Sequence, residues 1–127
     1  MTPDDYRELA LGLEGAIERS HMNHPDFRVN GRIFATLHAD DIWGTVMITP
    51  EEQRALMRLH GKVFVPAPGA WGRSGSTNVH LATADEATVR GALIMAWEHA
   101  MAKASRPARA ASKKRATPKK KTTTRGK

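Results

Sequence analysis

Apolar residues recur every three or four positions near the N-terminus, which predicts an amphipathic helix. They are Tyr6, Leu9, Ala10, Leu13 and Ile17. Thr2 precedes a proline and two aspartates, a combination typical of a helix start. Gly12 and Gly15 predict that this helix ends at about Leu13, before a less regular stretch that leads to a short strand at 27–29.

Two strands are predicted next. Asn30-Gly31 is the strongest short signal for a tight hairpin turn, and it precedes a predicted strand at 32–38. On that strand we expect one apolar face, made of Ile33, Ala35 and Leu37. A third strand is predicted at 42–48, where apolar side chains occupy alternate positions.

Two further helices are marked by the spacing of a capping box, in which a threonine is followed by a glutamate three residues later. Thr49 and Glu52 form the first pair, and Gly61 predicts the end of that helix. Thr83 and Glu86 form the second pair. The apolar stripe of this final helix consists of Val89, Leu93, Ala96, Trp97, Ala100 and Met101.

The segment between these helices predicts two short strands, at 63–65 and 78–81. Residues 66–77 hold two prolines and three glycines and are predicted to be a loop. The order is then α-β-β-β-α-β-β-α, with strands adjacent in sequence. This order predicts an α+β fold in which a small antiparallel β-sheet is covered by helices on one face.

Charge divides the chain near residue 104. Residues 105–127 carry ten basic side chains and no acid, which leaves ten basic and thirteen acidic residues, a net charge of about −3, in 1–104. The ten are Arg106, Arg109, Lys113, Lys114, Arg115, Lys119, Lys120, Lys121, Arg125 and Lys127. Because 105–127 also lacks every large apolar residue, we predict a domain at 1–104 and a disordered basic tail at 105–127, here called the arm.

The arm predicts a polyanionic partner. Ten positive charges without acids suit the phosphate backbone of DNA or RNA. Residues 117–120 (Thr-Pro-Lys-Lys) are similar to an element of linker-histone-like tails that lies along DNA grooves. Charge alone does not separate DNA from RNA or from an anionic membrane, and a tail that only solubilises the protein is the remaining alternative.

Several classes of protein are disfavoured. There is no cysteine, and the longest apolar run, at 92–97, is far shorter than the ~20 residues of a membrane span. The N-terminal residues do not have the pattern of a secretory signal or transit peptide. His21 and His24 could form a metal pair, but no third ligand of obvious spacing follows. The sequence contains no phosphate loop and no nucleophile elbow, so we expect no enzymatic activity, no cofactor and no bound metal. We expect a cytoplasmic protein, with association with the nucleoid as one option.

The most informative residues inside 1–104 are one tryptophan and three arginines. Trp71 and Arg73 lie in the predicted loop, where an exposed indole could stack on a base and an arginine could contact phosphate. Arg28 and Arg32 flank the Asn30-Gly31 turn and could do the same. The alternative is that Trp71 closes the edge of the core and the arginines are simply solvated.

The motifs together resemble the MmcQ/YjbR-like family. His24–Val29 reads His-Pro-Asp-Phe-Arg-Val, and residues 31–35 read Gly-Arg-Ile-Phe-Ala. Residues 50–52 give a Pro-Glu-Glu helix start, and residues 66–69 a Pro-Ala-Pro-Gly segment. Residues 96–100 give the Ala-Trp-Glu-His-Ala pattern of a closing helix.

The resemblance spans about residues 3–103 and does not include the arm. It implies a small sandwich related to frataxin-like domains, described as a double-wing DNA-binding fold, with no catalytic residues to carry over. The first hypothesis is therefore a non-enzymatic nucleic-acid-binding protein whose arm contacts phosphates without sequence preference. The second is a protein-interaction or small-ligand module whose tail only localises or solubilises it.

Overall fold

Four helices and six strands make up residues 1–104, the part of the chain that a computed structural model describes, and four of the strands follow one another after the first helix. The helices are α1 (Pro3–Leu11), α2 (Pro50–Leu59), α3 (Gly69–Arg73) and α4 (Glu86–Ala104). The strands are β1 (Ile17–His21), β2 (His24–Val29), β3 (Arg32–Leu37), β4 (Trp43–Met47), β5 (Phe64–Pro66) and β6 (Ser76–His80). The arm, and with it the predicted disorder, lies outside the described residues.

The six strands form one sheet in the order β1-β2-β3-β4-β6-β5, and every neighbouring pair is antiparallel. Helix α4 packs across β2, β3 and β4, α1 packs on α4 and β3, and α2 packs on β5 and β6. The core lies between these helices and one face of the sheet. The predicted α+β class, with an antiparallel sheet covered by helices on one face, is confirmed, and the other face of the sheet is left open.

Local signals at the start of α1 and α2 predict the structure well. In α1 the Thr2 hydroxyl accepts from the backbone N–H of Asp5, whose carboxylate accepts from the N–H of Thr2. In α2 the same reciprocal pair joins Thr49 and Glu52. Each box satisfies two of the backbone donors that a helix start leaves without partners.

The capping box predicted at Thr83 is wrong. Helix α4 begins only at Glu86, and Thr83 lies in a 3-10 turn at Leu81–Thr83. Its hydroxyl donates to the backbone oxygen of Lys62 across 2.6 Å, so it holds the approach to β5 instead of the start of a helix.

Strand β1 was not predicted. Helix α1 ends at Leu11, and Ile17, which continues the helical spacing of apolar residues, lies on this edge strand and is half exposed. The hairpin to β2 turns at Met22 and Asn23, both with positive φ, as a type I′ turn requires. An exposed edge strand has no buried face to produce an alternating pattern, and Met-Asn is not a usual turn sequence.

A β-bulge changes the face on which Ile33 lies. Phe27 pairs with Ala35 but Arg28 pairs with Ile33, so Phe34 is the extra residue between them. Phe34 is fully buried in the core, and Ile33 turns to the open face. The predicted face of Ile33 with Ala35 and Leu37 is therefore wrong at its first position.

Tyr6 connects α1 to the centre of the sheet. It is fully buried, and its hydroxyl donates to the backbone oxygen of Thr45 across 3.1 Å. A Cβ on Gly44 would lie 2.6 Å from the Tyr6 ring, so only glycine leaves room for it. Burial raises the pKa of Tyr6, and the phenol stays protonated.

Candidate functional site

The tryptophan and the three arginines that the sequence singled out in the folded body gather at one end of the sheet, whereas His21 and His24 lie at the β1–β2 turn at the other end. The Asn30-Gly31 turn joins β2 to β3 at this end, and both residues have positive φ, as predicted for the hairpin. Here Met47 pairs with Ser76, where β4 ends and β6 begins. Because α3 immediately precedes β6, the segment that carries Trp71 and Arg73 lies at the same end as the Asn30-Gly31 turn. This end is here called the turn end of the sheet.

Arg28 and Arg32 differ in what they already bind. Arg28 donates from Nε and from a terminal nitrogen to the two carboxylate oxygens of Asp26, at 2.7 and 3.1 Å. Asp26 is fully buried, so Arg28 neutralises it, and this hydrogen bonding raises the pKa of Arg28. Arg32 is exposed and makes no ion pair with any described side chain. Arg32 is therefore the more available of the two for an anion.

A cavity of about 360 Å³ lies where β3 meets the last turns of α4. It is lined by Arg28, Gly31, Arg32, Ile33, Met47, Ala96, His99 and Ala100. The Asn30 amide donates to the sulfur of Met101 across 3.4 Å, which holds the end of α4 against the turn. The end of α4 therefore lies at this corner of the fold.

The predicted loop at 66–77 contains a helix. Residues Gly69–Arg73 form α3, and β6 begins at Ser76, earlier than expected. Trp71 is 74% exposed, so it does not close the edge of the core. Arg73 ends α3 and is also exposed. Both side chains are available to a partner.

Two contacts hold α3 in place. The buried side-chain amide of Gln53 donates to the backbone oxygens of Gly72 and Ser76, at 3.0 and 3.1 Å. A Cβ on Gly72 would lie 1.9 Å from the Ala67 oxygen, so α3 packs on the preceding segment only because residue 72 is glycine. The backbone that carries Trp71 is thus fastened to α2 and β6.

A larger groove, of about 650 Å³, runs along the open face of the sheet. It is lined by His24, Ile33, Thr36, His38, Thr45, Met47, Ala67, Pro68, Trp71, Ser76 and Asn78. Ile33 and Met47 line both this groove and the cavity beside Arg32, so the two spaces adjoin. Trp71 stands at the wall of the groove and Arg32 beside its end.

Three polar side chains, one just after β3 and one each on β4 and β6, form a chain of hydrogen bonds on the floor of this groove. The hydroxyl of Thr45 donates to Oδ1 of Asn78 across 2.7 Å and lies 2.7 Å from Nε2 of His38. Since Thr45 has a single hydroxyl proton, His38 must donate through Nε2–H. Burial lowers the pKa of His38, which favours the neutral ring.

Sequence reasoning did not single out these three residues. None of the motifs in the sequence contains His38, Thr45 or Asn78. Their relation arises from strand pairing, because Thr36 lies opposite Thr45 and Thr45 opposite Asn78. The one sequence signal that could have indicated this group is the alternation of side chains along β4, which places Thr45 on the face opposite that of Val46.

Metal and membrane features are absent from the described part of the chain. No three His, Asp or Glu side chains described here lie close enough together to hold a metal ion. None of the helices within 1–104 combines the length and apolar character that crossing a bilayer requires.

Comparisons with known proteins agree with this architecture. The family model for YjbR matches residues 11–99. The fold is similar to the crystal structure of the Deinococcus radiodurans protein DR2400, domain DUF419, with a TM-score of 0.64 and 17% sequence identity over 84% of this chain and 89% of that chain. No curated protein matches the sequence. The family model covers well over half of the chain and confirms the resemblance derived from the motifs, so this protein belongs to the YjbR family.

Proposed function

We propose that this protein binds nucleic acid, with DNA as the expected partner, and does not catalyse a reaction on it. The arm supplies phosphate contacts that do not depend on sequence. The turn end of the sheet adds Arg32, Arg73 and the exposed ring of Trp71. The domain of residues 1–104 acts as the folded body that orients the arm.

One observation carries this proposal: the ten positive charges of the arm are separated from a body whose net charge is about −3. A body of that charge has no general attraction for phosphate, so most of the electrostatic affinity must come from the arm. The end of α4, which precedes the arm in the sequence, lies against the Asn30-Gly31 turn and beside the cavity that Arg32 lines. Its charges and those of the turn end can therefore act on one strand.

The decisive experiment is a salt titration of binding to duplex DNA. If six to eight of the ten charges contact phosphates, log affinity falls against log salt with a slope of about −5 to −7. The control is a full-length variant with all ten basic residues of the arm changed to glutamine, which keeps the length of the chain. We expect that variant to lose most of the slope. A wild-type slope near zero, or one that the glutamine variant retains, would contradict the proposal.

A small-ligand or protein-interaction module remains the second candidate, and the 650 Å³ groove is the observation that favours it. A groove of this volume is within the range of small-molecule sites. This function predicts a partner whose affinity is unchanged when the arm is neutralised. Nucleic-acid binding predicts the opposite.

A further inference from the structure

We propose that the groove on the open face of the sheet holds an unpaired base of a nucleic-acid strand, with adenine preferred. In this arrangement the indole of Trp71 stacks on the base and the side-chain amide of Asn78 hydrogen-bonds its edge. The inference rests on the proposed function and extends it from phosphate contacts to recognition of a base.

The lining of the groove suits a flat ring. Ile33, Met47 and Pro68 supply apolar surface, and Trp71 supplies an exposed aromatic face. Stacking on an aromatic side chain is how most proteins hold the bases of single strands, since every base has a π face. A duplex would not fit, because its bases are already stacked on each other.

Asn78 supplies the polar contact. Its Oδ1 accepts one hydrogen bond, from Thr45, and keeps a second lone pair. No described residue accepts from its Nδ2, so both hydrogens of that nitrogen are available to a ligand. The amide thus offers a donor and an acceptor side by side.

The hydrogen bonds beneath it orient this amide. Because His38 donates to Thr45 and Thr45 donates to Asn78, the oxygen of Asn78 is held toward Thr45 and the nitrogen is turned away. His38 and Thr45 are positioning residues in this account. An asparagine amide held in this way matches the N6 donor and N7 acceptor of adenine.

Charge near the groove points to a strand as the occupant. Arg32 lies in the cavity that adjoins the groove through Ile33 and Met47, and Arg73 ends the helix that carries Trp71. Strand β6 is two strand spacings, ~10 Å, from β3. A base in the groove would therefore have Arg32 on its β3 side for a flanking phosphate, a contact that a free base or an apolar peptide does not use.

The test measures binding of full-length protein to fluorescent oligo(dA) and oligo(dT) of equal length. We expect oligo(dA) to bind roughly tenfold more tightly. Trp71→Ala should weaken both by roughly 5- to 100-fold, whereas Leu59→Ala, which removes a side chain with the same 74% exposure, should change neither. Thr45→Val keeps the shape of the side chain and should abolish the preference for oligo(dA) without changing the salt slope.

Each contrary outcome is distinct. Equal binding of the two oligonucleotides, or a preference that Thr45→Val leaves intact, overturns the base site and leaves the arm unaffected. No binding of either oligonucleotide or of duplex DNA at low salt overturns the proposed function as well. Adenosine monophosphate that competes as strongly as oligo(dA) would show a free-nucleotide site and overturn the assignment to a strand.

Discussion

Gln53 on α2 donates to the hydroxyl of Thr77 on β6 across 3.0 Å, and both residues are buried. The Thr77 hydroxyl in turn donates to the Gly75 oxygen at 2.8 Å. One polar side chain from a helix therefore organises the start of β6, and through Gly72 it also anchors the short helix that carries Trp71. The stability of the site depends on a residue that touches no ligand.

Gln53→Leu should destabilise the protein by about 2 kcal/mol, because it removes the buried amide whose hydrogen bonds join α2 to α3 and β6. The oxygens of Gly72 and Ser76 keep their backbone donors, the N–H groups of Gly75 and Ala67. Urea denaturation measures this loss. Arg54→Leu, at an exposed position on the same helix, is the matched control and should change the free energy of unfolding by less than about 0.5 kcal/mol. Equal effects of the two substitutions would show that Gln53 is not the anchor.

Gly44→Ala should cost about 1–3 kcal/mol, because the new methyl group meets the ring of Tyr6. Gly91→Ala is the same substitution at a helical position with open space around it, and it should stabilise the protein by about 0.5–1 kcal/mol. Thermal unfolding distinguishes the two. If the cost at Gly44 is steric, Tyr6→Leu combined with Gly44→Ala should be less destabilising than the sum of the single changes.

Glu52→Gln should lower stability at neutral pH by less than about 1 kcal/mol. Burial raises the pKa of Glu52, but hydrogen bonds from the backbone of Thr49 and from His99 outweigh it, and the net pKa is lowered. A lowered pKa gives stability that is present above the ordinary value and lost as the pH falls through the lowered one.

The substitution at Glu52 keeps the oxygen that accepts from Thr49 and from His99, and it removes only the charge. Unfolding measured from pH 7 to pH 3 should therefore show the two proteins converging at the acid end. A difference that is constant over this range would mean that the ionised carboxylate contributes nothing.

Arg32→Gln should reduce the magnitude of the salt slope for DNA binding by about 1, since one phosphate contact is lost. Arg90→Gln is the control, because Arg90 lies in the first half of α4 and is paired with Glu86. We expect no change in slope from it. Indistinguishable slopes for Arg32→Gln and wild type would remove the turn end from the phosphate-binding surface.

Predictions from the sequence succeeded where a few adjacent residues determine the conformation. The helix start at Thr2, the capping box at Thr49 and the Asn30-Gly31 turn are local features, and all are observed. Thr83 has the same spacing as Thr49, but its hydroxyl is engaged by the distant Lys62 backbone. A contact between distant segments overrides the local signal there.

The candidate site was predictable only in its parts. Trp71 and Arg32 were predicted as nucleic-acid contacts because they lie in a predicted loop and beside a predicted turn. Their position at one end of the sheet depends on strand order, which the sequence does not reveal. The chain from His38 to Asn78 joins residues 40 positions apart, and only cross-strand pairing reveals it. The turn of Ile33 into the groove follows from a bulge for which the sequence contains no signal.

If the arm and the groove bind one strand as proposed, the attachment of α4 beside the Asn30-Gly31 turn makes them a bivalent pair. The 23 residues that follow α4 can span at most ~75 Å, so a strand held anywhere along them stays within that distance of the end of α4. The second contact is then intramolecular, with an effective concentration that reaches the millimolar range for short tethers. Two individually weak contacts on one strand would therefore multiply in affinity, and lengthening the junction after Ala104 would weaken binding without removing a single contact.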